Sequence, residues 1–502
     1  MSFFFRCASL FFFLIAVVAG AAEIPPQPFE PVDWGRSYTS DQLSRSDARD
    51  GGLPNDPLLD KQYAWRNVGQ ADDKGQVGIP GCDVRLFDAW RVYKPKQEII
   101  LAIVDSGLDL QHEDIDPSCL WVNPGESGLD AQGRDKAGNG VDDDQNGYVD
   151  DVHGWNFLKN SPDIQEDHYH GTHVGGQLCA RGSNGLGITG GFPGLRIMLV
   201  KVFGLGTTLS SEKFAEAIRY AVDNGAKVLS NSYGTPSYTS AMEAAVKYSH
   251  DHGTLFVCAS GNSRKNMDLE EDKDYPSCYG FENQLVVGAT NNRDLSTFSN
   301  FGSMVDVAAP GEQMMSTMPK NQYRSFSGTS QACPIAAAAA CWVWSMNPQF
   351  TALDVKQRLL DSADELPGLR PYVRDGLRLN LYNALLGLPG RRLPAADYST
   401  WATEERVIET SHPYYNNKVV TWDVSVEGAK AFRLHFSRMA IDHFGDTLEI
   451  QSRAGQVLAV YNINKDDFWT DAFDGDSVKL VFTANEYVGD YGFTIDRLQV
   501  RR

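Results

Sequence analysis

Beyond its first twenty residues the chain has no apolar run approaching the length needed to cross a bilayer. It is also short of positive charge. Against 65 Asp and Glu it sets only 45 Lys and Arg, a formal net charge of -20 that excludes nucleic acid as a natural partner. Such acidity suits an extracellular protein or one that binds calcium. Cysteine is scarce, with 8 in 502 residues, and no spacing among them reads as a zinc site. Cys7 falls in the first apolar stretch, and the remaining odd number leaves at least one thiol unpaired. Cys258 and Cys278, which would close one surface loop, are the preferred disulfide. Cys333 and Cys341 lie in an apolar helix and read as small core residues, so a cysteine nucleophile is disfavoured.

What is present begins with Arg6 ahead of LFFFLIAVVA (Leu10 to Ala19) and the small residues Gly20, Ala21 and Ala22. A short charged start, a short apolar core and an A-x-A exit make residues 1–22 a secretory signal, cleaved near Ala21 or Ala22. The protein is therefore expected outside the cell, or in the periplasm if bacterial, without a membrane span. Residues 23–52 are rich in proline and charge and read as an extended leader.

Over residues 53–387 apolar strands alternate with helical patterns, which argues for an α/β fold: a mostly parallel sheet with helices on both faces. The runs Glu98 to Asp105, Leu195 to Phe203, Lys227 to Ser232, Thr254 to Ser260 and Gln284 to Thr290 are strands. Helices run from Ser211 to about Gly225, from Thr239 to Gly253 and from Thr351 to Ala363, the last with capping-box spacing at Thr351 and Asp354. Residues 388–402 form a linker. Residues 403–502 carry short, often alternating strands that predict a small all-β sandwich.

Three motifs carry chemistry. Asp105 ends a buried strand in Val104-Asp105-Ser106-Gly107, where ligands gather in parallel sheets. His170 opens His170-Gly171-Thr172-His173-Val174-Gly175-Gly176. His170 and His173 are three apart, but no Glu stands between them and no third ligand is evident, so zinc is not indicated. Ser330 follows Gly328-Thr329 at the first turn of a helix of small residues, where free N–H groups and the dipole favour developing negative charge.

Asp, His and Ser in that order, within VDSGLDLQHEDI, HGTHVGG, LSNSYG, CASGN and SGTSQACP, resemble the subtilisin-like serine proteases from about Leu53 to Gly387. The resemblance implies that Ser330 is the nucleophile, His170 its base and Asp105 the group that orients His170. It implies that Asn262, with the Ser330 N–H, stabilises the oxyanion. Ser232, Tyr233 and Gly234 would pair with extended substrate, and Ala259, Ser260 and Gly261 would form the opposite wall of the pocket. Tyr233 and the acidic stretch Asp268 to Asp274 hint at selectivity. Gly175 and Gln331 depart from the family's commoner residues without removing a catalytic group, and the leader is too short for the family's folded propeptide. The alternative class is a binding protein built on an inactive protease fold, and the filled catalytic positions argue against it. A metal-dependent peptidase ranks third.

The same resemblance places a structural calcium ion at Asp114 and the loop Gly182 to Ile188, with Asn184 giving a side-chain oxygen and Gly182, Leu186 and Ile188 giving carbonyls. A second calcium candidate is read from the residues themselves. Asp142, Asp144, Asn146, Tyr148 and Asp150 are spaced as in an EF-hand loop, although His153 stands where that loop ends in Glu. The C-terminal region resembles CUB domains through Ser411-His412-Pro413-Tyr414, Leu434-His435-Phe436, Asp446 to Ile450 and Tyr491-Gly492-Phe493. Asp442, Asp446 and Glu486 match that family's calcium acids or solvated turns. Such a module would bind a protein or a glycan.

Overall fold

The run ILAIVD is too apolar to leave a face in water, and Ile100–Asp105 (β1) is buried from Leu101 onward. In the computed structural model, which describes residues 53–502 apart from 74, 76, 393–396, 442–445, 456, 462 and 487–488, β1 is an interior strand of a nine-stranded sheet. The signal and leader readings and Asp442 lie outside the described residues. The other strands are Gly154–Asn156 (β2), Arg196–Lys201 (β3), Val228–Asn231 (β4), Leu255–Ala259 (β5), Gln284–Thr290 (β6), Val307–Pro310 (β7), Asp364–Glu365 (β8) and Leu377–Arg378 (β9). Their order is β8-β9-β7-β6-β5-β4-β1-β3-β2, and every pair is parallel except β8 with β9. Parallel neighbours need crossover connections. Helices supply several of them: His170–Cys179 (α1), Ser211–Asp223 (α2) and Ser240–Asp251 (α3). Thr329–Met346 (α4) follows the sheet's last parallel run, and Ala352–Ser362 (α5) begins with the capping box expected at Thr351 and Asp354.

Helix α4 lies against β4, β5 and β6 with Ala336 to Ala340 wholly buried, because methyl side chains let the helix approach the sheet closely. Pro334 sits inside it and has no N–H for the carbonyl of Ser330. That carbonyl instead accepts from the Ser232 hydroxyl at 3.0 Å, which fastens the start of α4 to the end of β4.

The seven cysteines among the described residues are all free. The expected Cys258–Cys278 disulfide is therefore not made: Cys258 lies within β5 and is wholly buried, while Cys278 sits half-buried on the short turn Ser277–Tyr279. The thiols that do meet are Cys119 and Cys179, whose hydrogen bond and shared burial push the Cys119 thiol well up.

From Ala402 onward the pattern becomes antiparallel. Ala402–Glu409 (β10), Lys418–Ser425 (β11), Ala431–Ala440 (β12), Thr447–Gln451 (β13), Val457–Tyr461 (β14), Phe468–Trp469 (β15), Phe473–Asp474 (β16), Ser477–Ala484 (β17) and Gly492–Arg501 (β18) form two sheets. One runs β10-β18-β12-β15 with β16 also on β12, and the other runs β11-β17-β13-β14. Burial alternates along β17, and Phe436, Phe482 and Phe493 fill the space between the sheets, as a sandwich requires. The sandwich also rests on the α/β unit. Asn266 Nδ2 donates to Asn464 O at 3.0 Å, Tyr372 OH donates to Val460 O at 3.0 Å, and Arg370 pairs with Asp471. Among the described residues no helix is long and apolar enough to cross a membrane.

Candidate active site

Asp105 leaves the end of β1 with its carboxylate buried. Its Oδ1 accepts from Ser106 N at 2.7 Å and from His170 Nδ1 at 2.8 Å, and its Oδ2 lies 3.0 Å from the same nitrogen. A carboxylate so supplied accepts the Nδ1 proton and leaves Nε2 of His170 as the basic nitrogen. Burial pulls the imidazole down, but the Asp105 charge and hydrogen bond outweigh it, and the pKa of His170 is raised. His170 is the first residue of α1, and the close seat of that helix depends on Gly171. A Cβ there would stand 2.0 Å from the carbonyl oxygen of Gly107, inside van der Waals contact.

Glu166, which sequence reasoning missed, braces the same corner. Its Oε2 accepts from Ser106 Oγ at 2.9 Å and from Thr172 N at 3.0 Å, and its Oε1 accepts from His168 N at 2.8 Å. Ser106 Oγ in turn receives the N–H of Gly171 at 2.8 Å. His173 faces away from this chemistry: its Nε2 lies 3.0 Å from Arg324 O, and burial lowers its pKa to about 3. It is a neutral core residue.

Ser330 is the second residue of α4, and its hydroxyl donates to Ser232 O at 3.2 Å. Asn262 Oδ1 accepts from Thr329 N at 2.8 Å and from Thr329 Oγ1 at 2.9 Å, so Nδ2 remains as the amide's donor. A Cβ built on Gly328 would lie 3.6 Å from Asn262 Nδ2 and 3.6 Å from Ser330 N. The two donors therefore flank one space beside the serine, the arrangement an oxyanion needs.

The two expected pocket walls present backbone. Ser232 and Ser260 are buried, and the Ser260 hydroxyl contacts Ser299 Oγ at 3.0 Å and Asn300 O at 3.2 Å. Tyr233 does not shape selectivity through its ring. The ring packs 4.9 Å from Phe214, and its hydroxyl donates to Asn231 Oδ1 at 2.9 Å in the core. Ala259 is buried at the end of β5, and Gly261, at φ +103, turns the chain where a side chain would be strained.

Asp114 and the 182–188 loop do meet. Asn184 Nδ2 donates to Asp114 Oδ1 at 2.8 Å, and Ile188 N donates to Oδ2 at 3.0 Å. Asn184 Oδ1 accepts from Leu186 N at 2.8 Å. Asp56, absent from the expected set, holds the loop's other side by accepting from Ser183 N at 2.9 Å and Asn184 N at 3.1 Å. Gly182 opens the loop.

The second candidate loop gathers differently from the expected ligand set. Asp142 and Asp144 come together with Glu126, an acid upstream of the loop, each offering a carboxylate oxygen within 4.8 Å of the others. Glu126 is wholly buried. Its Oε1 accepts from Asp143 N at 2.7 Å and from Asp144 N at 3.2 Å, and its Oε2 has no partner. Asn146 reaches this cluster at Asp144 Oδ2, 3.3 Å away. Asp150 instead accepts from Gly140 N at 3.1 Å, and the Tyr148 ring packs against Trp155 and Tyr220.

A model of the peptidase S8 family, described as the subtilase family, matches residues 96–383. The chain is 33% identical over 298 residues to a thermophilic serine proteinase of Bacillus sp. (strain AK1), covering 59% of this chain and 64% of that protein. It is 30% identical over 320 residues to subtilisin-like protease 1 of Plasmodium vivax, covering 60% of this chain and 49% of that protein. It is 36% identical over 235 residues to thermitase of Thermoactinomyces vulgaris, covering 47% of this chain and 81% of that protein. The chain thus spans less than two thirds of the first two relatives.

Proposed function

Since the chain belongs to the subtilase family, peptidases of type S8, we propose that it is a secreted serine endopeptidase that hydrolyses proteins and peptides through an acyl-enzyme. One observation carries this reading. His170 is held on Asp105 by Nδ1, while Asn262 Nδ2 and Ser330 N flank a single space next to Ser330.

Extended substrate backbone lies along Ser232 to Gly234, and the residue before the scissile bond enters between that segment and Ala259 to Gly261. His170 Nε2 takes the Ser330 proton as Oγ attacks the carbonyl carbon, and Asp105 stabilises the imidazolium that forms. Asn262 Nδ2 and Ser330 N meet the oxyanion. His170 then returns the proton to the leaving amine, and a water, deprotonated in turn by His170, cleaves the ester. Converting Ser330 to alanine is expected to lower casein and peptide turnover by roughly 10⁶-fold with the fold retained. Undiminished turnover in S330A would remove Ser330 from the mechanism.

We assign residues 53–387 to the peptidase unit, 388–402 to a linker and 403–502 to a CUB-like sandwich with a protein or glycan ligand; support for the last is the pair of antiparallel sheets. Calcium fits as a structural ion. Glu126, Asp142 and Asp144 are hard oxygen donors with a buried carboxylate oxygen left over, and three close carboxylates repel unless a cation offsets them. Asp114 with the 182–188 loop fits only if the Asn184 amide makes a half-turn, giving up its bond from Leu186 N, to set oxygen against oxygen, which a cation would bridge. A bound calcium ion would supply stability to these loops and no step of the hydrolysis.

A further inference from the structure

Both walls of the pocket end in glycine, and the same carboxylate closes the gap between them. A Cβ on Gly234 would lie 2.6 Å from Asp274 Oδ1, and one on Gly261 would lie 3.0 Å from Asp274 Oδ2. The chain carries Asp274 to that place through the next residue. Tyr275 exchanges both backbone hydrogen bonds with Thr235, each at 2.8 Å, which ties the segment to the end of the first wall.

The carboxylate is incompletely satisfied there. Oδ1 is buried without a hydrogen-bond partner, and Oδ2 has only the Asn300 amide at 3.5 Å. Lys265, whose charge acts on Asp274, is paired with Asp272 at 3.9 Å. Burial pushes the Asp274 carboxyl up to about 6, with the Lys265 charge and the Thr235 and Tyr275 N–H groups opposing. An acid buried in this way is costly unless something in the pocket brings charge and donors. A lysine ammonium or an arginine guanidinium brings both, and the guanidinium can meet two oxygens at once. A leucine or phenylalanine side chain would leave the carboxylate unmet.

We propose that Asp274 forms the base of this pocket and selects substrates with lysine or arginine immediately before the scissile bond, a selectivity that rests on the endopeptidase reading above.

The test uses the full chain and one peptide series in which only that residue varies among Arg, Lys, Leu, Phe and Gln, with benzamidine as a competing amidinium. The expected result is kcat/KM roughly 10²-fold or more in favour of Arg and Lys, with competitive inhibition by benzamidine. Asp274→Asn should erase the preference by slowing only the basic peptides, and Asp274→Glu should restore part of it. A wild-type preference for Leu or Phe overturns the proposal without needing any variant to fold. Equal slowing of every peptide in D274N also overturns it, since that marks a structural role. Fluorophosphonate labelling of the same sample separates the two readings. A labelled enzyme without basic preference defeats this proposal alone, whereas an unlabelled, inactive enzyme defeats the endopeptidase reading and this one with it.

Discussion

Asp105 and Asp274, two acids of the proposed cleft, are finished to different degrees. Asp105 receives Ser106 and His170 on close hydrogen bonds and has nothing left to offer a ligand. Asp274 keeps a buried oxygen with no partner. The difference separates an acid that orients a neighbour from one that waits for a substrate group. Glu126 extends the comparison beyond the cleft, because one of its oxygens is bound by backbone N–H groups and the other, like Asp274 Oδ1, is bare. A folded chain tolerates bare buried oxygens poorly, and a ligand is proposed for each of these two.

The sharpest way to break this comparison is to remove the charge from the satisfied acid. Asp105→Asn should lower kcat by roughly 10⁴-fold, because the amide no longer holds the Nδ1–H tautomer of His170. The pH profile supplies a second readout. With Asp105 present the His170 pKa is raised, so the base form is lost as pH falls through a value above that of ordinary imidazole. In D105N burial is opposed only by the weaker pull of the Glu166 charge, and the acidic limb should move to lower pH. An unmoved limb would mean that His170 is not the titrating base.

Asn262→Ala is a smaller change on the oxyanion side. It should reduce kcat by about 10²- to 10³-fold with little change in KM, because the donor acts on charge that appears only during reaction. A loss confined to KM would place Asn262 in ground-state binding instead.

The smallest effect is expected where an acid waits for a metal ion. In the S330A background, which prevents self-digestion, calcium at one hundred times its dissociation constant should stabilise the fold by roughly 2.7 kcal/mol over EDTA. Glu126→Gln or Asp114→Ala should shrink the difference between the two melts. Coincident melts in EDTA and calcium would remove the ion from the account.

Much of the proposed site was legible in the sequence because each residue of the proposed triad sits where an element begins or ends. Asp105 closes an unbroken apolar strand, and His170 and Ser330 each open a helix beside glycine. Such places leave local marks. The strand Gln284–Thr290 and the cap at Thr351 were readable for the same reason. Groups defined by contact across the fold left no such mark. Glu166 appears as one acid in a polar stretch, and its link to the catalytic corner comes only when the fold brings Ser106 to it. Glu126 lies outside the loop of Asp142 and Asp144 and shares no motif spacing with them. Asp274 reads as the end of a charge run until the Tyr275–Thr235 bridge sets it between two glycines. The strand Ala402–Glu409 was invisible for a different reason, since it is an exposed edge without alternating burial.

The central claim, that one serine in this cleft is activated for acyl transfer, is tested most directly by covalent labelling with a fluorophosphonate followed by peptide mapping. The account predicts a single adduct on Ser330 that is absent from S330A and strongly reduced in D105N. An adduct on another residue, or labelling that survives in S330A, would contradict it.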